Sequence, residues 1–187
     1  MAIDSYMVFV PYKGTPLASE SSVDFAKNAE ALADPFKNNA GKVFEVEDYS
    51  FDIEQTLNIG SQSTGAGAGK VSFNPFSITR KIDKSSPDFF KNACSGTAFK
   101  QVSLGLRKSA GDDTAGKFFL RFDFKLVAVK TISWAHGDES PTETITFEYG
   151  GLQVKYTPQL ADGSFGDLMH AGWNRVKNIA DDTDTPL

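Results

Sequence analysis

The stretch KFFLRFDFKLVAVKTISW, residues Lys117–Trp134, decides the fold. In its first half every second side chain is apolar, and most of the residues between them are charged. The apolar set is Phe118, Leu120, Phe122, Phe124 and Leu126, which alternates with Phe119, Arg121, Asp123 and Lys125. Successive side chains of a strand point to opposite faces, so a period of two is typical of a β-strand with one buried face.

Further strands are predicted on both sides of this one. They are Ser5–Tyr12, Val43–Gln55, Val71–Ile82, Gln101–Lys108, Thr142–Tyr149 and a returning strand from Leu152. Gly150–Gly151 predicts a two-residue hairpin between the last two strands. The alternation slips near Glu47–Asp48, which predicts a β-bulge, and at Asn74–Pro75, which predicts a bulge or a sheet edge. Seven or eight strands indicate a mainly β fold, an antiparallel barrel or sandwich of two sheets.

One short α-helix is predicted at Ser86–Gly96, packed at the side of the sheets. Ser86 is the predicted N-cap, Pro87 the first helical residue and Gly96 the end of the helix. The predicted buried face consists of Phe89, Phe90, Ala93 and Cys94, with the cysteine acting as a small hydrophobic residue.

Residues 14–42 and 178–187 differ in character from the strands. In the first segment Phe25, Ala29, Leu32 and Phe36 form one helical stripe, which predicts a helical insertion capped by Ser21 or Ser22 and stopped by Pro35. The alternative for this segment is a partly ordered loop. The acidic residues 178–187 predict a frayed, flexible tail. Residues 1–187 are therefore expected to form a single domain with these two additions.

Composition excludes several classes of protein. The chain has 187 residues, of which 40% are hydrophobic and 23% charged, so it can form a globular core. The single cysteine, Cys94, excludes a disulfide framework within the chain and a multi-cysteine metal site. No apolar run approaches the ~20 residues that span a bilayer. The N-terminal sequence MAIDSYMVFVPYKG lacks the pattern of a secretory signal, so we expect none.

The charges are distributed unevenly along the chain. Residues 70–130 contain 12 Lys or Arg and 5 Asp or Glu, a net charge of +7, whereas the rest has 7 and 19, a net charge of −12. No nucleic-acid-binding motif accompanies the basic segment, so nucleic acid is not an expected partner. Either basic and acidic strands pair within one fold, or opposite charges lie on different faces and favour head-to-tail self-association.

No catalytic, cofactor-binding or metal-binding constellation is found in the sequence. The glycine-rich segment Leu57–Lys70 has the spacing of neither a phosphate-binding nor a dinucleotide-binding loop. His136, Asp138, Glu139 and Ser140 share one turn, where a triad seldom converges, and His170 is expected at the surface or in packing. The acidic face Glu45, Glu47, Asp52 and Glu54 is expected to pair with a basic neighbour such as the Arg80/Lys81 strand rather than to bind calcium.

Two longer segments resemble a known family. FSITRKIDKSSPDFFKNACSGTAFKQVSLGLRKS, Phe76–Ser109, is similar to the strand–helix–strand segment of the haemolysin co-regulated proteins (Hcp), the tube proteins of type VI secretion systems, most closely at TRKIDKSSP. SPTETITFEYGGLQVKYTPQ, Ser140–Gln159, resembles the closing hairpin of that family. GWN at Gly172–Asn174 and the strand pattern FEVEDYSFDIEQ also fit, so the resemblance covers most of Val43–Asn174.

The resemblance implies a non-enzymatic structural protein without cofactors. It implies a compact β-barrel with a side helix, assembled as a homohexameric ring. Such rings stack into a hollow tube, which a contractile sheath expels under a spike protein and which can carry small effectors in its lumen. The implied route runs from the bacterial cytoplasm to the extracellular space or a target cell, with neither a signal peptide nor membrane insertion.

The resemblance also assigns a role to the glycine-rich segment. In the family an extended loop reaches neighbouring subunits, and by position this loop is Leu57–Pro75. The residues expected at the interface are Asn58, Ile59, Gln62, Thr64, Lys70 and Phe73. The insertion and the acidic tail depart from the family pattern. The alternative function is a monomeric β-sandwich module that binds carbohydrate or protein through an aromatic platform, for which Trp134 and Trp173 are the available side chains.

Overall fold

The computed structural model describes residues 3–23, 25, 31–39, 41–58, 67–108, 116–136 and 140–187. Within these residues the chain forms eleven strands and two α-helices. The strands are β1 (Ile3–Pro11), β2 (Val43–Glu45), β3 (Asp48–Ser50), β4 (Ile53–Asn58), β5 (Gly67–Phe73), β6 (Phe76–Lys81), β7 (Ala98–Lys108), β8 (Lys117–His136), β9 (Pro141–Tyr156), β10 (Met169–Asn174) and β11 (Ile179–Ala180). The helices are α1 (Asp34–Lys37), which follows a 3-10 turn at Ala31–Ala33, and α2 (Ser86–Ser95).

Nine of the strands form one antiparallel sheet that closes on itself. Its main path runs β11-β10-β9-β8-β7-β1-β2, while β3 pairs with β6, and β6 pairs with the first half of β9. Closure occurs where β2 passes into β3, because the Val46 amide donates to Ser5 O of β1 and the Glu47 amide donates to Thr79 O of β6. The predicted mainly β fold, an antiparallel barrel with a side helix, is confirmed.

The core of the barrel is built from phenylalanine rings. The ring of Phe76 stacks on Phe124 at 4.0 Å and on Phe147 at 4.7 Å between centroids. Phe9 adds edge contacts to Phe44 and Phe89. Phe124 lies in this core and Leu120 and Phe122 pack against it, as the alternation of β8 predicts. The prediction is wrong at the two ends of the alternating set, because Phe118 packs in a second cluster with Phe25 and Phe36, and Leu126, with a φ of +50°, is 38% exposed.

The predicted hairpin at Gly150–Gly151 is wrong. Both glycines lie inside β9, which continues unbroken to Tyr156. A side chain at Gly150 would come within 3.1 Å of Leu187 Cδ1 and 3.2 Å of Leu126 Cβ, so this position needs glycine for close approach rather than for a turn. Sequence alone does not show which chain segment approaches a strand glycine.

At both sites where the sequence predicts a bulge, the structure has a break between two strands. Near Glu47 the chain leaves the edge of β1 and joins β6, which changes the face that each side chain occupies. At Asn74–Pro75 the chain passes from β5 to β6, and these two strands belong to different sheets. A slip in alternation therefore marks a change of partner strand in both places.

Helix α2 begins one residue earlier than predicted and buries less of its surface. Ser85 is the N-cap, and Gly96 ends the helix with a φ of +67°, which suits glycine. Phe89 is buried, but Phe90 is 52% exposed and Cys94 is also exposed. The predicted burial of Cys94 is wrong because only the turn around Phe89 packs onto the barrel.

The N-terminal insertion packs on the outside of the barrel through aromatic residues. Phe25 and Phe36 are fully buried, and Phe36 stacks on Phe118 at 4.4 Å. Pro35 does not stop a helix but lies in the first turn of α1, where its missing N–H costs nothing. Ser21 accepts from the Val23 amide and donates to Glu45, and Ala29 lies outside the described residues.

The acidic C-terminal residues do not extend away from the body as a frayed tail would. Strand β11 pairs with β10, and beyond it Asp181 and Asp184 form ion pairs with Lys125 and Lys155. The partners of these aspartates lie more than 25 residues away in sequence, so the acidic composition alone does not predict the contact.

Candidate functional site

The two strands on either side of residues 59–66 form a small sheet that is separate from the barrel sheet. Strands β4 and β5 pair with each other in a two-stranded sheet, with Ile53 opposite Phe73 and Gln55 opposite Val71. Among the described strands, β4 and β5 have no pairing with the barrel sheet. We call β4 and β5 the arm.

The residues predicted at the interface fall into two groups. Asn58 lies in β4 opposite Gly67, and Lys70 and Phe73 lie in β5. Ile59, Gln62 and Thr64 lie outside the described residues. Of the six, Phe73 has a described side-chain environment, and it lies at the base of the arm rather than toward its tip.

The base of the arm is clamped to itself and to the barrel. The Asn74 amide donates to Asp52 O at 3.1 Å, and Asn74 Nδ2 donates to Asp52 Oδ2 at 2.6 Å. The Arg175 guanidinium lies 5.4 Å from the Phe73 ring centroid and 4.8 Å from that of Tyr149. Burial raises the pKa of Tyr149 to about 12, although the Arg175 cation opposes this shift. Tyr149 is therefore neutral at ordinary pH and presents its ring face to the cation.

An apolar groove lies between the arm and the strands β9 and β10. Its volume is about 560 Å³, and it is lined by Ile53, Gln55, Val71, Phe73, Leu152, Val154, Ala171, Gly172, Trp173 and Asn178. Ile53 is 48% exposed at its mouth. We call this feature the arm groove. Sequence reasoning missed it because its walls come from two distant segments, although Trp173 belongs to the GWN motif.

A second apolar feature, the aromatic patch, consists of Phe90 of α2 and Trp134 of β8. Both side chains are more than half exposed, and their ring centroids lie 6.3 Å apart. Trp134 Nε1 donates to Glu143 Oε2 at 3.1 Å, which fixes the orientation of the indole. Trp134 lies opposite Glu143 in the first half of β9, whereas Leu152 and Val154 of the arm groove lie in its second half. The two apolar features thus occupy different parts of the barrel.

Beneath the aromatic patch a buried charge cluster fixes the start of α2. Arg80 Nε donates to Glu143 Oε1 at 2.8 Å, and the Arg80 guanidinium also binds Asp83 and the hydroxyls of Ser85 and Ser86. Burial alone would raise the pKa of Asp83, but hydrogen bonds from Arg80 and Ser85 outweigh it and hold that pKa below its usual value. Arg80 therefore pairs with Glu143 and Asp83 rather than with the acidic face predicted for it.

Two of the side chains considered for catalysis, Asp138 and Glu139, lie outside the described residues, so the structure locates only part of that set. His136 ends β8, and His170 is exposed on β10. Within the part of the chain that the structure describes, no group of three or more His, Cys, Asp or Glu side chains could hold a metal ion. No described helix is long and apolar enough to cross a membrane.

Ion pairs in the structure show how much of the uneven charge along the chain is balanced by pairing within one fold. Arg80 with Glu143, Lys125 with Asp181 and Lys130 with Glu148 each join the basic segment 70–130 to the acidic remainder. Pairing within one fold therefore accounts for part of the asymmetry.

Comparison with known proteins identifies relatives for most of the chain. The model of the family described as "Type VI secretion system effector, Hcp" matches residues 36–156. Protein hcp1 of Pseudomonas aeruginosa is 34% identical over 111 residues, which cover 59% of this chain and 68% of that protein. A solved structure described as a type six secretion system protein superposes with a TM-score of 0.76 at 24% identity, covering 96% of this chain and 100% of that one.

A further solved structure, Hcp1 from Salmonella typhimurium, superposes with a TM-score of 0.67 at 20% identity and covers 97% of this chain and all of its own. At such identities the superpositions show the shared fold. The sequence match shows the family. The resemblance at Phe76–Ser109 and Ser140–Gln159 is confirmed, and the chain belongs to the Hcp family of type VI secretion proteins.

Proposed function

We propose that this chain is the structural subunit of a type VI secretion tube, in which six copies form a ring and rings stack into a hollow tube. The partners of that tube are the spike protein, the contractile sheath and small effectors carried in the lumen. Export from the bacterial cytoplasm by the type VI route, without a signal peptide, is part of this proposal. The subunit acts through contacts between copies and performs no chemistry.

The observation that carries the proposal is the arm with its groove. Ile53 is half exposed beside an apolar groove of about 560 Å³, on a hairpin that pairs only with itself among the described strands. Burying a large aliphatic side chain stabilises a contact by about 1.5–3 kcal/mol. A neighbouring copy that covers Ile53 and fills the groove would gain this free energy at every interface of a ring.

A closed ring needs two different surfaces on each copy. In a cyclic assembly larger than a dimer the contact is heterologous, so one patch meets a different patch on the next copy. The arm groove and the aromatic patch are two apolar surfaces of this kind, formed near different halves of β9. We propose that the aromatic patch of one copy contacts the arm groove of the next.

A mixing experiment tests this arrangement. Ile53→Asp alters only the arm groove and Phe90→Asp only the aromatic patch, so each variant should be monomeric by mass photometry. Mixed together, they retain one intact groove and one intact patch, and we expect a two-chain complex that cannot grow. Ile3→Asp is the matched control because Ile3 is 54% exposed outside both surfaces, and it should still form rings. Rings from either single variant would contradict the proposed contact.

Stacking of rings is the electrostatic part of the proposal. Because the basic segment 70–130 and the acidic remainder differ strongly in charge, unlike faces of successive rings would attract. Raising the salt concentration should shorten tubes before it dissociates rings, since exposed charges are screened and apolar contacts are not. Equal sensitivity of tubes and rings to salt, measured by negative-stain microscopy, would contradict this part.

The second candidate function is a binding module, and the aromatic patch is the observation that favours it. Exposed aromatic pairs such as Phe90 and Trp134 can stack on sugar rings. In that case Trp134 fluorescence should respond to oligosaccharides while the protein remains a single chain. A multimeric protein with no such response would leave the tube subunit as the function.

A further inference from the structure

A charged row lies on the outer surface of the barrel, and it is buried although the side chains point away from the core. Arg121, Asp123 and Lys125 of β8 alternate with core phenylalanines, and Lys155 lies opposite Arg121 on β9. Each of these four side chains is at most 7% exposed. We call Arg121, Lys125 and Lys155 the cationic row. Something outside the sheet must cover it.

Within the strands themselves the charges do not balance. Arg121 Nη2 lies 2.9 Å and Lys155 Nζ 3.4 Å from the same carboxylate oxygen, Oδ2 of Asp123. Two of the three cations therefore share this one carboxylate. Buried charges are costly unless they are paired, so the row requires further anions or polar acceptors.

Residues 181–187, which we call the C-terminal segment, supply such groups to the two lysines, whereas Arg121 Nη1 donates to Leu32 O of the N-terminal insertion at 3.1 Å. Lys125 Nζ lies 3.3 Å from Asp181 Oδ2 and also donates to Thr183 O, while Lys155 pairs with Asp184. Burial would raise the pKa of Asp184, but Lys155 outweighs it and holds that pKa below its usual value. Each lysine of the row therefore has an acceptor from the C-terminal segment.

Residues of β9 and β10 also bind the carbonyl and the carboxylate of Asp182. Gln153 Nε2 donates to Asp182 O at 2.9 Å, and the Gly172 amide donates to Asp182 Oδ1 at 2.6 Å. These bonds resemble the way an extended peptide is held, by alternating side-chain and main-chain contacts.

An apolar anchor fixes the far end of the segment. Leu187 lies over Gly150 and Gly151, where a side chain on either glycine would come within 3.1 Å of Leu187 Cδ1. Tyr12 Oη donates to Leu187 O at 3.1 Å. The two glycines inside β9 thus form a floor that admits this leucine, and they mark a binding site for a segment with carboxylates followed by an aliphatic residue.

We propose that the cationic row and the Gly150–Gly151 floor form a binding site for an acidic extended segment, and that the C-terminal segment of a second copy can occupy it in exchange for the copy's own. In the structure the C-terminal segment of the same chain occupies this site, and every copy of the chain carries an identical segment. Asp184 is 76% exposed even when paired, so its carboxylate faces solvent in the docked state, and the identical segment of a second copy would restore the same contacts to the buried lysines. Exchanging an identical element between copies is a low-cost route to linkage.

This inference is independent of the proposed tube. The cationic row and the two glycines lie within residues 36–156, which the family model matches, whereas the C-terminal segment lies beyond that match. Binding of the segment can be measured whether or not rings form.

A peptide-binding measurement tests the site. A variant that ends at Ala180 is mixed with a labelled peptide of residues 181–187, DDTDTPL, and followed by fluorescence anisotropy. We expect the truncated protein to bind the peptide at least tenfold more tightly than the full chain, whose site is filled. A peptide carrying Asp181→Asn and Asp184→Asn should bind at least tenfold more weakly. Equal binding by the two proteins, or no binding by a folded truncated protein, would overturn the proposal.

If the truncated chain does not fold, a full-length variant replaces it. Asp181→Asn, Asp184→Asn and Leu187→Ser together remove the ion pairs and the apolar anchor of the segment and keep its backbone. This variant should bind the unmodified peptide as the truncated protein would, and failure to bind while folded counts against the site in the same way.

Isotope mixing tests exchange between copies. Unlabelled and ¹⁵N-labelled full chains are mixed, and a zero-length carbodiimide cross-linker joins Lys155 to Asp184. Cross-linked peptide pairs that contain one light and one heavy member report a segment bound to another copy, and we expect them. Lys130 and Glu148, 2.9 Å apart in one chain, are the control and should give unmixed pairs. Unmixed Lys155–Asp184 pairs alone would contradict exchange, and absence of this cross-link would contradict docking itself.

Discussion

The arm and the C-terminal segment are two additions to the same barrel, but they meet it in opposite ways. The arm exposes apolar side chains such as Ile53 beside an apolar groove. The C-terminal segment is acidic and lies on a row of buried lysines. The arm thus exposes apolar surface that another molecule can bury, whereas the segment supplies carboxylates that pair with lysines of its own chain.

This difference separates the contacts that a subunit makes within its own chain from those that it offers to another copy. Apolar surface is favourable to bury wherever a partner supplies the other side, and it is insensitive to salt. Charge contacts at the surface are weak and exchangeable. An assembly built on the arm should therefore survive changes that release the C-terminal segment.

A pair of deletions gives the largest expected effect. Removing Ser61–Ala68 shortens the arm and should leave a folded protein that forms neither rings nor tubes at the wild-type concentration. Ending the chain at Ala180 removes the C-terminal segment and should leave ring formation intact. Mass photometry and circular dichroism distinguish the two results. Rings from the arm deletion, or loss of rings from the truncation alone, would reverse the comparison.

The second-largest expected effect is a difference in the free energy of unfolding between substitutions in two charge clusters that differ in burial. Glu143 is fully buried with Arg80, so Glu143→Gln leaves this buried cation paired with Asp83 alone and should lower the free energy of unfolding by about 3 kcal/mol, the lower end of the cost of breaking a buried pair. Asp184→Asn alters a pair with an exposed carboxylate and should cost less than about 1 kcal/mol. Urea denaturation measures both. Similar losses would mean that the C-terminal pair is as essential as the buried one.

How well a feature can be predicted from the sequence depends on how far apart in sequence the interacting residues lie. Local signals such as the alternation of Lys117–Trp134 and the Pro87 and Gly96 punctuation of α2 depend on neighbouring residues, and the structure agrees with them closely. Glu143 beside Arg80, Asp181 beside Lys125 and Leu187 beside Gly150 are between 37 and 63 residues away in sequence, and no local pattern specifies these contacts. For the same reason the arm could be located from sequence while its groove could not.

The smallest effect is a dependence of stability on pH. The pKa values of Asp181 and Asp184 are lowered in the folded chain, the first chiefly by hydrogen bonds from Thr183 and the second by Lys155 against the effect of burial. Carboxylates with lowered pKa values stabilise the fold above the unfolded value of about 3.9, and this contribution is lost as the pH falls through the folded value.

The full chain should therefore have a higher Tm than the variant ending at Ala180 at pH 7, and the difference should shrink below about pH 4. Because Asp83 also has a lowered pKa and is present in both chains, its effect cancels in the difference. A gap in Tm that stays constant from pH 7 to pH 3 would show that the carboxylates of the segment do not contribute.

The mass of the purified full chain in solution tests the central claim most directly. Mass photometry over a range of concentrations, with negative-stain images of the same sample, should show annular particles of six times the chain mass of 20.3 kDa. Particles of a single chain mass at every concentration, without annular images, would contradict the account of this protein as a ring-forming subunit.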